Sequence, residues 1–257
     1  MAIDYQKEGR VAIFTINRPE AANAMNLQAY RELTAAVLDF RDDDNLTVAI
    51  LTGAGERNFC AGVDLKDFMP FLRKTVRKPW QIPPTFVRRI DLYKPLIAAV
   101  NGTALGYGFE MTLGCDIRLA SENAVFAFPE ATLSVFPGGG GTQRLPRLIP
   151  PGIAAEMLFT GKRIDAQEAY RIGLVNRVVP VGQALAAARE LADRICQSGP
   201  LAVKAIKQSI LRGVYNMSLD EGLTLEETLQ KDVFESKDFL EGTSSFFEKR
   251  KPSFKGE

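Results

Sequence analysis

Two stretches of this chain pass from a short apolar run through small residues into a helix start, a pattern that restricts the fold more than any other feature of the sequence. In one, Phe59-Cys60-Ala61-Gly62-Val63-Asp64-Leu65-Lys66 is small and apolar before its charged end. In the other, Leu96 to Val100 is a wholly apolar strand that breaks at Asn101-Gly102 and restarts as a helix near Gly106. The backbone N–H groups of Gly106, Tyr107 and Gly108 are then free, and a helix start carries a partial positive charge that suits an oxyanion. Two such turns can converge on one carbonyl oxygen.

Beside the second turn stand two glutamates among apolar neighbours. Glu110 lies between Phe109 and Met111, and Glu130 closes Phe126-Ala127-Phe128-Pro129-Glu130. An isolated acid in a first helical turn is ordinarily there to complement the helix dipole. Two carboxyls in apolar settings instead have raised pKa values and can exchange protons near neutral pH.

Composition limits the alternatives. The chain has no histidine, which excludes histidine metal sites, Ser-His-Asp or Cys-His catalysis and any imidazole base. Glutamate, aspartate, lysine, tyrosine or cysteine must do the chemistry. Lys+Arg 32 against Asp+Glu 31 leaves a net charge of +1, no case for nucleic acid or an anionic membrane. Cys60, Cys115 and Cys196 are scattered, so neither a disulfide framework nor a zinc site is indicated, and a reducing cytoplasm is expected. No apolar run approaches the ~20 residues that cross a bilayer, and the charged start MAIDYQKEGR lacks the apolar core of a signal peptide.

Ile3 to Lys7 and Arg10 to Ile16 form an expected hairpin around Glu8-Gly9, and Asn26 caps a helix from Leu27 to about Asp42. Val48 to Thr52 is a buried strand, so the alternation predicts a mostly parallel α/β core. Asp67 to Asp91, with Pro70, Pro79, Pro83, Pro84 and Trp80, reads as a short helix, a mobile loop carrying Arg73, Lys74, Arg77 and Lys78, and a further helix. The Gly138-Gly139-Gly140-Gly141 run lacks the Gly-Lys-Ser/Thr of a P-loop, and its glycines read as a flexible turn allowing close packing. Further on, helices are expected over 152–160, 165–172 and 183–197 with a strand from Leu174 to Val179. From Leu201 only helices follow, one opened by a Ser218/Glu221 capping box, and their apolar faces suggest self-association.

Over essentially its whole length the chain resembles the enoyl-CoA hydratase/isomerase (crotonase) superfamily, and most closely its hydratases. The resemblance rests on INRPEAANAMN (16–26), NFCAGVDLK (58–66), AAVNGTALGYGFEMTLGCDIRLAS (98–121), FAFPEATLSVFPGGGGTQRLPR (126–147), TGKRIDAQEAYRIGLVNRVV (160–179) and FFEKRKPSF (246–254). It implies a spiral of ββα units over 1–200, holding coenzyme A and the active site, and a C-terminal helical trimerisation region over 201–257. A homotrimer or a homohexamer built from two trimers is implied as well. The implied reaction is syn hydration of an enoyl-CoA thioester in fatty acid β-oxidation, with no cofactor beyond the CoA of the substrate. Glu110 and Glu130 match the family's catalytic pair, and Val63 and Tyr107 match its oxyanion-hole amides. Ala61, Val63, Asp64, Leu65 and Lys66 match the CoA-binding stretch, and Lys249 matches a phosphate contact from a neighbouring subunit; Lys66 taken alone reads first as an ordinary solvated side chain. Family hydratases usually have glycine where Tyr107 stands, so its side chain is expected to reshape the acyl pocket. The alternatives are a double-bond isomerase, a hydratase of cyclic dienoyl-CoA, a binding protein without catalysis, and an RNA-binding relative using Arg88-Arg89 or Lys249-Arg250-Lys251.

Overall fold

The computed structural model describes residues 1–75, 82 and 84–257. A hairpin of β1 (Ile3–Glu8) and β2 (Val11–Ile16) opens the chain, as its turn residues predict. Helix α1 (Leu27–Asp42) follows, its first turn closed by the Asn26 side chain accepting from the Ala29 N–H.

Three strand pairs then build the core. β3 (Val48–Gly53) is followed by β4 (Asn58–Cys60) and α2 (Leu65–Thr75), β5 (Leu96–Val100) by β6 (Thr103–Leu105) and α3 (Tyr107–Gly114), and β7 (Ile117–Ser121) by β8 (Val125–Ala127). The first member of each pair joins a six-stranded sheet in the order β1-β2-β3-β5-β7-β10, and the second joins a four-stranded sheet, β4-β6-β8-β9. β9 is Ile164–Asp165 and β10 is Arg177–Val179. Pairing is parallel throughout except for β1 with β2 and β8 with β9. Each ββα unit thus feeds both sheets, which is the expected spiral.

Every residue of β3 and β5 is buried because both faces of the large sheet are covered. Alternate side chains Ile13, Ile50, Ile97 and Leu119 pack with Ala184, Ala188 and Ala192 of α7 (Ala184–Cys196). Their neighbours Phe14, Leu51, Ala98 and Val100 pack with Phe59, Ala104 and Phe109 of the small sheet and α3.

Beyond the sheets come α4 (Gly141–Leu148), α5 (Pro151–Thr160) and α6 (Ala166–Arg171), the last capped by Asp165. The C-terminal helices are α8 (Pro200–Asn216), α9 (Leu219–Phe234) and α10 (Lys237–Phe247), and α9 carries the Ser218/Glu221 capping box. Lys207 ties α8 to the core, donating to the Lys94 carbonyl at 2.9 Å and pairing with Asp116 at 2.7 Å.

One expectation fails. The second helix anticipated before Asp91 is absent among the described residues; Thr85 and Arg88 instead close a tight turn through reciprocal 2.8 Å backbone hydrogen bonds. Arg89 holds a φ of +69°, outside the helical region, so a helical ladder cannot run through it. Arg77, Lys78, Pro79 and Trp80 of the anticipated loop lie outside the described residues. Among those described, no helix is long and apolar enough to cross a membrane.

Candidate active site

The ends of β4 and β6 bring the two small-residue turns together. Gly62 and Gly106 have φ of +103° and +52°, conformations that side-chain-bearing residues rarely adopt. A methyl group built on Gly108 would lie 2.2 Å from the Cys60 carbonyl oxygen, and one on Gly62 would lie 3.7 Å from the Tyr107 nitrogen. The start of α3 therefore rests directly on the turn after β4, an approach only glycine permits.

Val63 forms a parallel bridge with Met25, in which the Met25 N–H donates to Gly62 at 2.8 Å and the Asp64 N–H to Met25 at 2.9 Å. The Val63 N–H between them, and that of Tyr107 at the first position of α3, donate to no acceptor among the described residues. Two free amides thus stand on adjoining turns, as an oxyanion requires.

Glu110, in the first turn of α3, is 2% exposed. Its Oε1 accepts from the Gly139 N–H at 2.7 Å and the Gly141 N–H at 2.8 Å. Burial raises its pKa, outweighing these hydrogen bonds and the Arg144 and Arg88 charges, which pull it down. The glycine run is therefore more than a flexible turn. A Cβ on Gly139 would sit 2.5 Å from Glu110 Oε2 and 2.9 Å from the Tyr107 ring, so the loop fits the carboxylate only as glycine. Arg144 fixes this loop, donating to the Gly139 carbonyl at 3.1 Å and to the Val87 carbonyl at 2.6 Å.

Glu130 occupies a short 3₁₀ turn, Pro129–Leu133, that follows β8. Its carboxylate lies against Gly106, whose missing Cβ would be 2.7 Å from Oε1. Its Oε2 is buried with no hydrogen-bond partner. Burial first, and repulsion from Glu110 second, push the Glu130 pKa up to about 7. The remaining candidates for acid–base work are poorly suited: burial pushes the Cys60 and Cys115 thiols up to about 12 and holds the Tyr107 phenol well above its ordinary range.

Asp64 pairs with Arg18 at 3.3 Å, while Leu65 and Lys66 are exposed at the start of α2. Lys249 lies beyond α10, exposed and with a φ of +54°, and no described contact joins it to this site within one chain. Sequence reasoning missed Gly139, Gly141 and Arg144; the only signal was a glycine run followed by an arginine on one helix face. Among the described residues no group of acidic or thiol side chains could hold a metal ion.

The family model for enoyl-CoA hydratase/isomerase matches residues 6–257. The chain belongs to the enoyl-CoA hydratase/isomerase family. A short-chain-enoyl-CoA hydratase of Clostridium acetobutylicum is 43% identical over 247 residues, covering 96% of this chain and 94% of that protein. A carnitinyl-CoA dehydratase of Proteus mirabilis is also 43% identical, covering 96% of each. The crystal structure of an enoyl-CoA hydratase from Bacillus anthracis superposes with a TM-score of 0.93, at 42% identity, over 100% of both chains. Within the family the ββα spiral and the C-terminal helices are shared features of fold.

Proposed function

We propose that this protein is an enoyl-CoA hydratase, a lyase that adds water syn across the 2,3 double bond of an enoyl-CoA thioester to give a 3-hydroxyacyl-CoA. The observation that carries the proposal is the pairing of two differently held carboxyls beside two free amides. Glu110, clamped through one oxygen by two N–H groups, keeps the other oxygen for a water proton. Glu130, with a pKa of about 7, is substantially protonated at neutral pH and can donate.

In this mechanism the thioester oxygen lies between the Val63 and Tyr107 N–H groups. Water attacks C3 while Glu110 takes its proton, and the electron pair of the double bond moves onto the thioester as an enolate. The two amides stabilise that charge, a contribution worth about 3 kcal/mol for one such donor. Glu130 then delivers a proton to C2, and proton exchange with solvent returns both carboxyls to their starting states. No step needs a cofactor or metal.

The CoA moiety is assigned to Ala61, Val63, Asp64 and Leu65, with Lys66 near phosphate and Lys249 of a neighbouring subunit reaching phosphate also. The exposure of Leu65 and Lys66 beside the amides supports this placement. The spiral over 1–200 would carry catalysis and the helices over 201–257 assembly into a homotrimer or homohexamer. Phe246 and Phe247, 79% and 81% exposed, support that assembly, as does a cleft of about 1060 Å³ where α8 leaves Ile206 and Ile210 open beside the core. Three free thiols, two of them buried, fit a reducing cytoplasm, and the reaction fits fatty acid β-oxidation.

The test follows loss of the conjugated enoyl absorbance of crotonyl-CoA in wild type, Glu110→Gln and Glu130→Gln. Each substitution should lower kcat by about 10²–10⁴-fold. Isomerisation that survives Glu110→Gln, with no hydration in the wild type, would replace the hydratase with an isomerase.

A further inference from the structure

Tyr107 serves the cleft through its backbone, and its side chain takes a separate position that the chemistry does not use. Its ring stacks on Tyr30 of α1 with centroids 5.9 Å apart and planes inclined by 26°. Tyr30 in turn packs on Phe68 of α2 at 5.5 Å, and Phe68 on Phe71 at 5.8 Å. Tyr30 and Phe68 are 7% and 5% exposed, and Tyr107 itself packs against the main core cluster. The Tyr107 hydroxyl is buried, with Tyr30 and Thr85 the polar groups beside it, and Thr85 is itself 3% exposed. The ring therefore has no room to swing away from the cleft.

The ring stands near the Glu110 carboxylate, since a Cβ built on Gly139 would meet both Glu110 Oε2 at 2.5 Å and Tyr107 Cδ2 at 2.9 Å. Glu110 Oε1 is held by the loop amides, so Oε2 is the oxygen left to face C3 and its water. On the hydratase reading, an acyl chain that continues beyond C3 past that oxygen would meet the Tyr107 ring.

We propose that the Tyr107 ring, braced by Tyr30 and Phe68, is the wall that ends the acyl pocket and restricts this enzyme to short enoyl chains. The inference rests on the hydratase reading and goes further by assigning chain-length selection to one side chain. A backbone amide and a ring on the same residue divide the work: the amide holds the thioester oxygen and the ring measures the tail.

The experiment compares kcat/KM for four-carbon and eight-carbon trans-2-enoyl-CoA in the wild type, Tyr107→Phe, Tyr107→Leu and Tyr107→Ala. The wild type should favour the four-carbon substrate. Each methylene buried in space vacated by the ring is worth about fourfold, so Tyr107→Ala should raise the eight-to-four ratio roughly tenfold or more. Tyr107→Leu should raise it less, and Tyr107→Phe should leave it within about twofold. A wild type that hydrates both chains equally, or an active Tyr107→Ala with an unchanged ratio, overturns the proposal. A shift in Tyr107→Phe as large as in Tyr107→Ala also overturns it, because the hydroxyl and not the ring would then be selecting. Calorimetric binding of butyryl-CoA and octanoyl-CoA to the wild type separates the two readings. Absence of all turnover with butyryl-CoA bound more tightly sinks the hydratase and keeps the wall, whereas octanoyl-CoA bound as tightly sinks the wall whatever the reaction.

Discussion

Replacing Glu130 by glutamine should stabilise the protein at pH 8 and leave it nearly unchanged at pH 5. In the folded chain the Glu130 pKa stands at about 7 against an ordinary value of 4.5, because burial and the nearby Glu110 disfavour its charge. A raised carboxyl pKa contributes stability that is fully present below 4.5 and is lost as pH climbs through 7, since the folded state binds the proton more tightly. At about 1.4 kcal/mol for each tenfold change in proton affinity, the interval sets a ceiling of about 3.5 kcal/mol. Part of the carboxyl reaches solvent, and screening there reduces the cost of the ionised form to roughly 1–2 kcal/mol at pH 8. Glutamine imitates the protonated acid in shape and never ionises, so it escapes that cost. For a chain of this size the gain corresponds to a Tm higher by roughly 2–8 °C at pH 8. Scanning calorimetry of wild type and Glu130→Gln at pH 5, 6, 7 and 8 reads the effect directly, and Glu110 titrates in both proteins and largely cancels. A Tm difference that is flat across this range, or that favours the wild type at pH 8, would refute the claim that Glu130 is held in an environment hostile to its charge. The stabilised variant should also be nearly inactive, the usual cost of a functional group kept under strain.

Two other substitutions test the surroundings. Gly139→Ala places a methyl group within 2.5 Å of Glu110 Oε2, so hydration should fall by about 100-fold while the protein loses roughly 1–3 kcal/mol in urea titration; wild-type kcat would show that the loop does not position Glu110. Ser218→Ala removes the capping box of α9 and should cost about 1 kcal/mol of stability with kcat per folded molecule unchanged, and an unaltered urea midpoint would refute the cap's contribution.

What could be read in the sequence divides by the range of the interactions that fix it. Asn26, Asp165 and Ser218 each cap the helix that follows by accepting from the N–H three residues on, and those starts are legible because donor and acceptor are neighbours in the chain. The apolar company of Glu110 and Glu130 is equally local, and it correctly points to carboxyls with raised pKa values. β4, β6, β8 and β9 have two or three residues apiece, too few for any periodicity, and only pairing with distant strands makes them a sheet. The grip of Gly139 and Gly141 on Glu110 spans 29 and 31 residues, so the glycine run looks like a loop until the chain is folded. Val63 and Tyr107 stand out through family resemblance alone; that Gly62 lies against the Tyr107 amide is a contact between distant turns that no local pattern shows. The helix expected before Asp91 gives way to a turn between Thr85 and Arg88 with Arg89 at positive φ, a backbone choice that the residue pattern there does not announce.

The donors at Val63 and Tyr107 belong to the main chain, and every amino acid except proline brings the same N–H to those positions. On the proposed reading, a codon change at residue 107 would alter the surface offered to the acyl tail and leave the N–H offered to the thioester in place, so substrate preference and the chemical step could change independently. The positions without that freedom are Gly62, Gly106 and Gly108, where a Cβ strains the turn or collides with a neighbour.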